Sequence, residues 1–269
     1  MSVKHNTIGK GEKQRAVNGG NDAYFTKQHI ADYYSHIVLE KYGEVDYIEP
    51  CAGAGAFMSV LPDVTGFDLI PKRDDIVEMD VFNNTFTKEQ VIVSNPPFGM
   101  SASLAMKIFN HIASFEVKAI CFIVPKSFKK NSTKNKLDSH YHLTFEQDVI
   151  DNAFTVEGVN KNVPCVFQIW EYKKTERKKV INEKCKWFDY VTKENANISV
   201  RRVGGKAGQI LDGIDHSDTT TYFIKTKHKM VKKALQLINL SVVNNTAGVR
   251  SISKSELCYE VNKIMEILG

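Results

Sequence analysis

The sequence predicts an α/β domain built on a mostly parallel sheet with helices on both faces, followed by a smaller basic extension. Three observations carry this expectation. Short apolar runs alternate with stretches of helical periodicity along the first two thirds of the chain, the pattern of strands joined by helices. Residues 119–124 are apolar at every position, as in a central strand covered on both faces. The first such strand runs into a Gly-rich turn, and open α/β sheets hold ligands at the carboxyl ends of their strands.

The elements follow in order. Residues 1–20 form a polar, Gly-rich arm with Lys4, Lys10, Lys13 and Arg15. Residues 26–42 are expected to be helical, because Ile30, Tyr33, Tyr34, Ile37 and Val38 share one face and Gly43 stops the pattern. A strand at 45–48 leads into the Gly-rich turn, which is expected to open a helix. Strands at 64–69 and 76–79 come next, and a short one at 91–93 runs into Asn95. Residues 101–115 place Leu104, Ile108 and Ile112 on one helical face. Strands at 119–124 and 163–170 complete this part. The Lys- and Glu-rich stretch 173–186 marks a boundary, which assigns 21–172 to a catalytic domain and 173–269 to the extension. There, 198–203 and 222–225 read as strands and 228–240 as a basic amphipathic helix. Ser253 with Glu256 has capping-box spacing and opens a last helix ending at Leu268.

Composition narrows the function classes. With 42% apolar and 25% charged residues in 269, the chain is a globular protein and not a disordered one. No run approaches the roughly 18 apolar residues of a membrane span. Five cysteines, an odd number without CxxC spacing, suggest reduced thiols, with Cys121 and Cys165 buried in apolar runs. Together with the absence of an apolar leader in residues 1–20, this implies a cytoplasmic, non-secreted protein, in a bacterial or viral setting. No metal site is expected, since only His140 and His142 lie close together and no cysteine pair accompanies them. The net charge of +5 hides an asymmetry: residues 1–172 hold 17 basic and 21 acidic side chains, and the remainder holds 19 and 10. A basic extension beside a mildly acidic domain suits a nucleic-acid partner, although a solvated Lys-rich surface has the same composition.

Two constellations carry chemistry. The first is Glu49-Pro50-Cys51-Ala52-Gly53-Ala54-Gly55. Gly53 and Gly55 allow close approach of backbone to a ligand. Met58 stands where a dinucleotide fingerprint needs a third Gly, and a Walker pattern is absent. Asp68, at the end of the next strand, can accept both hydroxyls of a ribose. Asp80, after the third strand, can accept an exocyclic adenine amine. Singly, each fits a structural turn; in this order they describe a pocket for an adenosine-type cofactor. The second constellation is Asn95-Pro96-Pro97-Phe98. The prolines stiffen the backbone and direct the Asn95 side chain and the Pro96 carbonyl, both acceptors. Two acceptors on the hydrogens of a planar amine favour a tetrahedral nitrogen and free its lone pair for attack. Phe98 offers a face for the planar group to stack on.

Here the sequence resembles the Rossmann-like class I S-adenosylmethionine-dependent methyltransferases. Residues 49–57 are similar to their motif I, and Asn95-Pro96-Pro97-Phe98 to motif IV of the amino methyltransferases, chiefly the adenine N6 enzymes. Asn21-Asp22-Ala23-Tyr24-Phe25-Thr26 resembles motif X. The order X, I, IV is that of the gamma-type DNA adenine enzymes. Residues 123–128 and 162–170 resemble the strand-five motif and strand-seven hairpin of such domains, so the resemblance covers about 21–172.

The resemblance implies a seven-stranded, mostly parallel sheet and S-adenosylmethionine as cofactor. Tyr24, Phe25 and Thr26 then line the methionine side; Glu49, Ala52, Gly53 and Gly55 lie under the cofactor; Asp68 meets its ribose and Asp80 its adenine, with Asn95 beside the methyl group. Asn95, Pro96, Pro97 and Phe98 are the expected catalytic residues, acting on adenine N6 in DNA, with RNA as the second choice. The basic residues Lys126, Lys129 and Lys130 after strand five, and Arg201, Arg202 and Lys206 around Gly204 and Gly205, are expected to bind substrate phosphates. Protein glutamine is another acceptor compatible with motif IV, and a non-catalytic nucleic-acid-binding module with a degenerate pocket is the alternative outside enzymes.

Overall fold

The apolar run at 119–124 lies in an interior strand of the main sheet in the computed structural model, which describes residues 24–179, 184–246 and 248–268. The predicted arm 1–20 and the first three residues of the motif X segment lie outside the described residues. The chain divides into two compact units, Met1–Lys179 and Val180–Gly269.

In the first unit the elements are β1 (Phe25–Thr26), α1 (Gln28–Tyr42), β2 (Tyr47–Glu49), β3 (Val64–Asp68), β4 (Val77–Glu78), β5 (Val91–Ser94), α2 (Ser103–Ala113), β6 (Ala119–Pro125), α3 (Asn131–Lys134), β7 (Tyr141–Asp148), β8 (Phe154–Val156), β9 (Val159–Lys161) and β10 (Cys165–Tyr172). Seven strands form one sheet in the order β4-β3-β2-β5-β6-β10-β7. β2 to β6 run parallel, and β10 is antiparallel to both of its neighbours. The order reverses between β2 and β5, which opens a crevice at their carboxyl ends.

Strand alternation builds a core on each face. Ala119, Cys121 and Ile123 of β6 join Ile30, Ala31, Tyr34 and Val38 of α1. Ile120, Phe122 and Val124, on the other face, join Leu104, Ala105, Ile108, Phe109 and Ile112 of α2. Each large aliphatic side chain buried this way contributes about 1.5–3 kcal/mol. Burial pushes the thiols of Cys121 and Cys165 up, as expected of inert reduced cysteines.

Two local expectations need correction, and the boundary stretch 173–186 contains the division between the units. Residue 26 is not helical: Phe25 and Thr26 pair with Thr155 and Phe154 of β8, so α1 starts at Gln28. The Gly-rich turn opens only a single 3-10 turn, Ala56–Ser59, because the segment 56–63 before β3 is short and contains Pro62. Residues 173–179 pack on the first unit: the Arg177 guanidinium donates to the carbonyls of Tyr141 (2.9 Å) and Leu137 (2.7 Å).

The second unit contains β11 (Asp189–Tyr190), β12 (Ile198–Arg201), β13 (Ile210–Leu211), β14 (Thr221–Lys225), α4 (Val231–Gln236) and α5 (Lys254–Leu268). Its antiparallel sheet, in the order β11-β14-β12-β13, packs Val200 and Ile224 against Val231, Ala234, Leu257 and Val261 of the helices. The capping box is formed: Ser253 Oγ accepts the Glu256 N–H (3.2 Å) and Glu256 Oε2 accepts the Ser253 N–H (2.8 Å). The expected helix at 228–240 is cut to six residues, because Asn239 Oδ1 accepts the Ser241 N–H (3.0 Å) and starts a separate 3-10 turn, Leu240–Asn244. No helix among the described residues is long and apolar enough to cross a membrane.

Candidate active site

A cavity of about 540 Å³ occupies the crevice beyond β2, β3 and β5, within the range of roughly 300–1,000 Å³ usual for cofactor sites. Tyr24, Phe25, Thr26, Glu49, Ala52, Gly53, Asp68, Asp80 and all of Asn95-Pro96-Pro97-Phe98 lie on its wall. Sequence positions 24 and 98 thus converge because β1 pairs with β8 and the motif IV segment leaves β5 at the switch point.

The Gly-rich turn follows β2. Gly53 has φ +53°, and a Cβ there would meet the Phe25 ring at 3.3 Å, so the turn depends on glycine. Gly55, at φ +73°, is not on the cavity wall. A Cβ on it would collide with Arg73, so glycine there shapes the turn. Asp68 braces the same turn: its Oδ2 accepts the Gly53 N–H (2.7 Å) and its Oδ1 the Ile70 N–H (2.8 Å). A carboxylate offers about four acceptor positions, so Asp68 keeps capacity for a ligand diol. Asp80 caps the 3-10 turn Val81–Asn83 through the Phe82 N–H (3.1 Å).

Glu49 is 2% exposed. Burial, reinforced by the Asp68 carboxylate, pushes its carboxyl well above the ordinary value, against the opposing pull of Arg73. Its Oε2 has no hydrogen-bond partner among the described residues. A buried acceptor of this kind is costly by about 1–3 kcal/mol when unpaired, and a cationic group of a ligand would satisfy it.

Motif IV is held by motif X. Asn95 Nδ2 donates to the Tyr24 carbonyl (3.0 Å) and to Thr26 Oγ1 (3.0 Å). With both donors used, the amide turns Oδ1 away as an acceptor, and this buried atom has no partner among the described residues. Phe98 is 7% exposed and its ring lies nearly parallel to that of Tyr24, with centroids 6.1 Å apart and 18° between planes. After it, the Phe98 carbonyl accepts the N–H groups of Leu104 (3.1 Å) and Ala105 (3.3 Å). The intervening loop is strained: Ser101 and Ala102 hold φ +53° and +62°, an arrangement that clusters at functional sites. Met100, on the cavity wall, is 83% exposed.

Several wall residues escaped the sequence reading: Leu69, Ile70 and Lys72 after β3, and Val156 and Glu157 at the tip of the β8–β9 hairpin. A signal for the hairpin exists, since Glu157-Gly158 separates two short β-prone runs and both residues have positive φ (+50° and +78°), the two-residue turn of a hairpin.

The predicted phosphate-binding lysines of this unit are not on the cavity wall, and two of them are neutralised within the fold. Lys126 pairs with Asp148 (3.0 Å), and Lys129 with Asp148 (2.8 Å) and Glu146 (3.9 Å). Lys134 also reaches Glu146 (3.1 Å). Partial burial pushes the Asp148 carboxyl up, but the hydrogen bonds from Lys129 and Lys126 outweigh it and hold it below the usual carboxylate range. Lys130 is half-buried at the end of the same turn. Arg201, Arg202 and Lys206 belong to the second unit. There, Arg201 Nη1 donates to Thr220 Oγ1 (2.8 Å), whereas Arg202 and Lys206 are exposed.

The strand order with one reversed strand beside the last, and a crevice holding a Gly turn, the acids Asp68 and Asp80 and the Asn95–Phe98 segment, are the arrangement that the resemblance to Rossmann-like class I methyltransferases implies. Residues 68–181, less than half of the chain, match the EDM2 methyltransferase-like domain. Solved structures similar to the chain include a putative RNA methyltransferase from Pyrococcus horikoshii (12% identity, 55% of this chain and 86% of that one, TM-score 0.44). The 23S rRNA methyltransferase ErmE is another (12%, 57% and 70%, TM-score 0.38). A third is magnesium protoporphyrin IX methyltransferase (ChlM) from Synechocystis PCC 6803 with bound S-adenosylmethionine (9%, 62% and 86%, TM-score 0.39). No curated protein matches the chain.

The chemistry of the donor set fits that cofactor. Glu49, Asp68 and Asp80 all line the cavity, and their carboxylates are the acceptors that an ammonium, a ribose diol and an adenine amine would need.

Proposed function

We propose that the protein transfers a methyl group from S-adenosylmethionine to the exocyclic N6 amine of adenine in DNA. The observation that carries this reading is Asn95 Oδ1, a buried acceptor without a partner among the described residues, aimed by two hydrogen bonds from the other end of its amide. The bound cofactor supplies an electrophilic methyl carbon on a positively charged sulfur. Asn95 Oδ1 and the Pro96 carbonyl accept the two hydrogens of the incoming amine and direct its lone pair towards that carbon. Both acceptors also stabilise the positive charge that develops on the nitrogen. Once methylated, the nitrogen is acidic and loses a proton to solvent, so no strong general base is required. Phe98 and Tyr24 provide apolar walls for the planar ring, which enters unstacked from its neighbours. Arg201, Arg202 and Lys206 are proposed substrate-binding residues.

Incubation with isotopically labelled donor and separate samples of duplex DNA, single-stranded DNA and RNA, followed by nucleoside mass spectrometry, tests the reading. The expected product is N6-methyladenine from DNA. Methylation confined to RNA moves the polymer, methylation of another base amine moves the acceptor, and label found only in protein replaces both. No transfer to any of them, with donor bound, would leave a binding module.

A further inference from the structure

The cations of the second unit fall into two groups. Lys186 pairs with Glu266 (3.4 Å) and Lys193 with Asp215. Arg202, Lys206, Arg250 and Lys254 are exposed, and no ion pair joins any of them to a described carboxylate. These four come together through a short antiparallel contact. The Ile252 N–H donates to the Arg202 carbonyl (3.0 Å), Val203 bridges to Ser251, and the Gly204 N–H donates to the Arg250 carbonyl (2.9 Å).

Two of the charges are fixed over one ring. The Arg202 guanidinium lies 5.8 Å and the Lys254 ammonium 6.0 Å from the centroid of Tyr222, and Lys254 also lies 4.7 Å from that of Tyr190. Such contacts are worth about 0.5–1 kcal/mol at exposed sites and restrict side-chain freedom before any ligand arrives. The ground between the cations is open: Gly204 has φ +100°, and a Cβ on Gly204 or Gly205 would meet nothing within 4 Å. Glu256, the nearest acid in sequence, has Oε2 committed to the capping box. Like charges gathered without ion-paired carboxylates repel one another, and an anion with repeated charges removes that cost.

We propose that Arg202, Lys206, Arg250 and Lys254 form a phosphodiester-binding surface, in which Arg250 and Lys254 are new binding residues. The proposal rests on the reading that the acceptor is carried by a nucleic acid. The surface is open and contributes no aimed base-reading group, so the contact is with the backbone and independent of sequence.

The test is fluorescence anisotropy of the full chain, without donor, on labelled DNA and RNA oligonucleotides across a salt series. The double variant Arg250→Ala/Lys254→Ala should bind at least about tenfold more weakly at low salt, and the slope of log K against log salt should shrink by about 0.7–0.9 for each phosphate-bound cation removed. Arg250→Lys should keep the wild-type slope. Lys186→Ala, which removes an already paired cation, should change neither quantity, and equal melting temperatures exclude misfolding. Wild-type binding with unchanged affinity and slope in the double variant overturns this surface and leaves the catalytic reading standing. No wild-type binding to either polymer overturns both. A loss on DNA and RNA alike supports backbone recognition, and a loss confined to one identifies the polymer.

Discussion

Replacing Asn95 by Ala separates two roles of one amide. The side chain holds the cavity wall through Nδ2, bonded to the Tyr24 carbonyl and Thr26 Oγ1 at 3.0 Å each, and its Oδ1 is a buried acceptor without a partner among the described residues. Loss of an aimed polar group at a reacting centre costs about 2.7–4 kcal/mol, or roughly 10²–10³ in kcat. The wall itself survives, because β1 stays paired with β8 and the Lys27 N–H still donates to the Ala153 carbonyl (3.0 Å). Donor affinity should therefore fall by no more than about tenfold, equivalent to about 1.4 kcal/mol. Asn95→Asp is a sharper probe. It keeps an acceptor at Oδ1 but puts an oxygen where Nδ2 faces the Tyr24 carbonyl, so the wall is repelled. Its donor affinity should drop below that of Asn95→Ala. Single-turnover transfer of labelled methyl gives the chemical step, and calorimetric titration with donor gives the affinity. Turnover of Asn95→Ala within about threefold of wild type would refute the reasoning. So would a rate loss fully explained by weaker donor binding, which would reduce Asn95 to a wall support.

Three further outcomes follow from the same geometry. Phe109 is 1% exposed and meets the rings of Phe122, Tyr141 and Trp170 edge-on at 6.2, 5.7 and 5.7 Å; Phe109→Ala should cost about 3–5 kcal/mol and lower the melting temperature by about 6–20 °C, read by near-UV circular dichroism. Glu49 is held above its ordinary pKa, so its contribution to stability is present at low pH and lost as pH rises above the ordinary carboxylate range. Unliganded wild type should lose melting temperature relative to Glu49→Gln as pH rises above the ordinary carboxylate range, while the variant binds donor more weakly; identical profiles would contradict the buried-carboxyl account. A Cβ on Gly99, at φ +66°, would sit 2.7 Å from Leu104 Cβ; Gly99→Ala should disturb the strained loop at a cost of about 1–3 kcal/mol and reduce transfer more than donor binding, as measured by the same two assays.

How far the residues alone reveal this protein depends on the range of the forces involved. The central strand at 119–124 is legible because every position is apolar, and its observed span, Ala119–Pro125, differs by one residue. The Ser253–Glu256 capping box is legible because both hydrogen bonds lie within one turn. Asp68 is legible as the acid that ends β3, and Asp80 as an acid just after β4. The support of Asn95 by the Tyr24 carbonyl and Thr26 is not, since it spans about 70 positions and requires β1 to leave the expected helix and join β8. Strands of two or three residues, such as β1, β8 and β9, are too short for a period-2 pattern to declare itself. They take their form from tertiary pairing.

The basic residues show the same limit in electrostatic form. A lysine in a sequence carries its charge but not its partner. Lys126 and Lys129, expected to bind phosphates, and their neighbour Lys134 meet acids once β7 is placed beside β10 at the sheet edge, with Asp148 opposite Val166 and Glu146 opposite Gln168. That register brings the two acids within reach of all three lysines, and it could not be read from residues 12 to 22 positions apart. Arg250 and Lys254 present the converse case. Nothing near them in sequence marks them out, yet the contact of Val203 with Ser251 gathers them with Arg202 and Lys206. The positive excess of residues 173–269 therefore has physical weight not through its total but through where its cations stand without a paired carboxylate. Cancelling it by adding an acid beside Tyr222, as in Thr220→Glu, should lower affinity for oligonucleotides and flatten the salt dependence. The same charge placed at Lys186, where a carboxylate already stands, should act only through the weak, screened field of the whole unit.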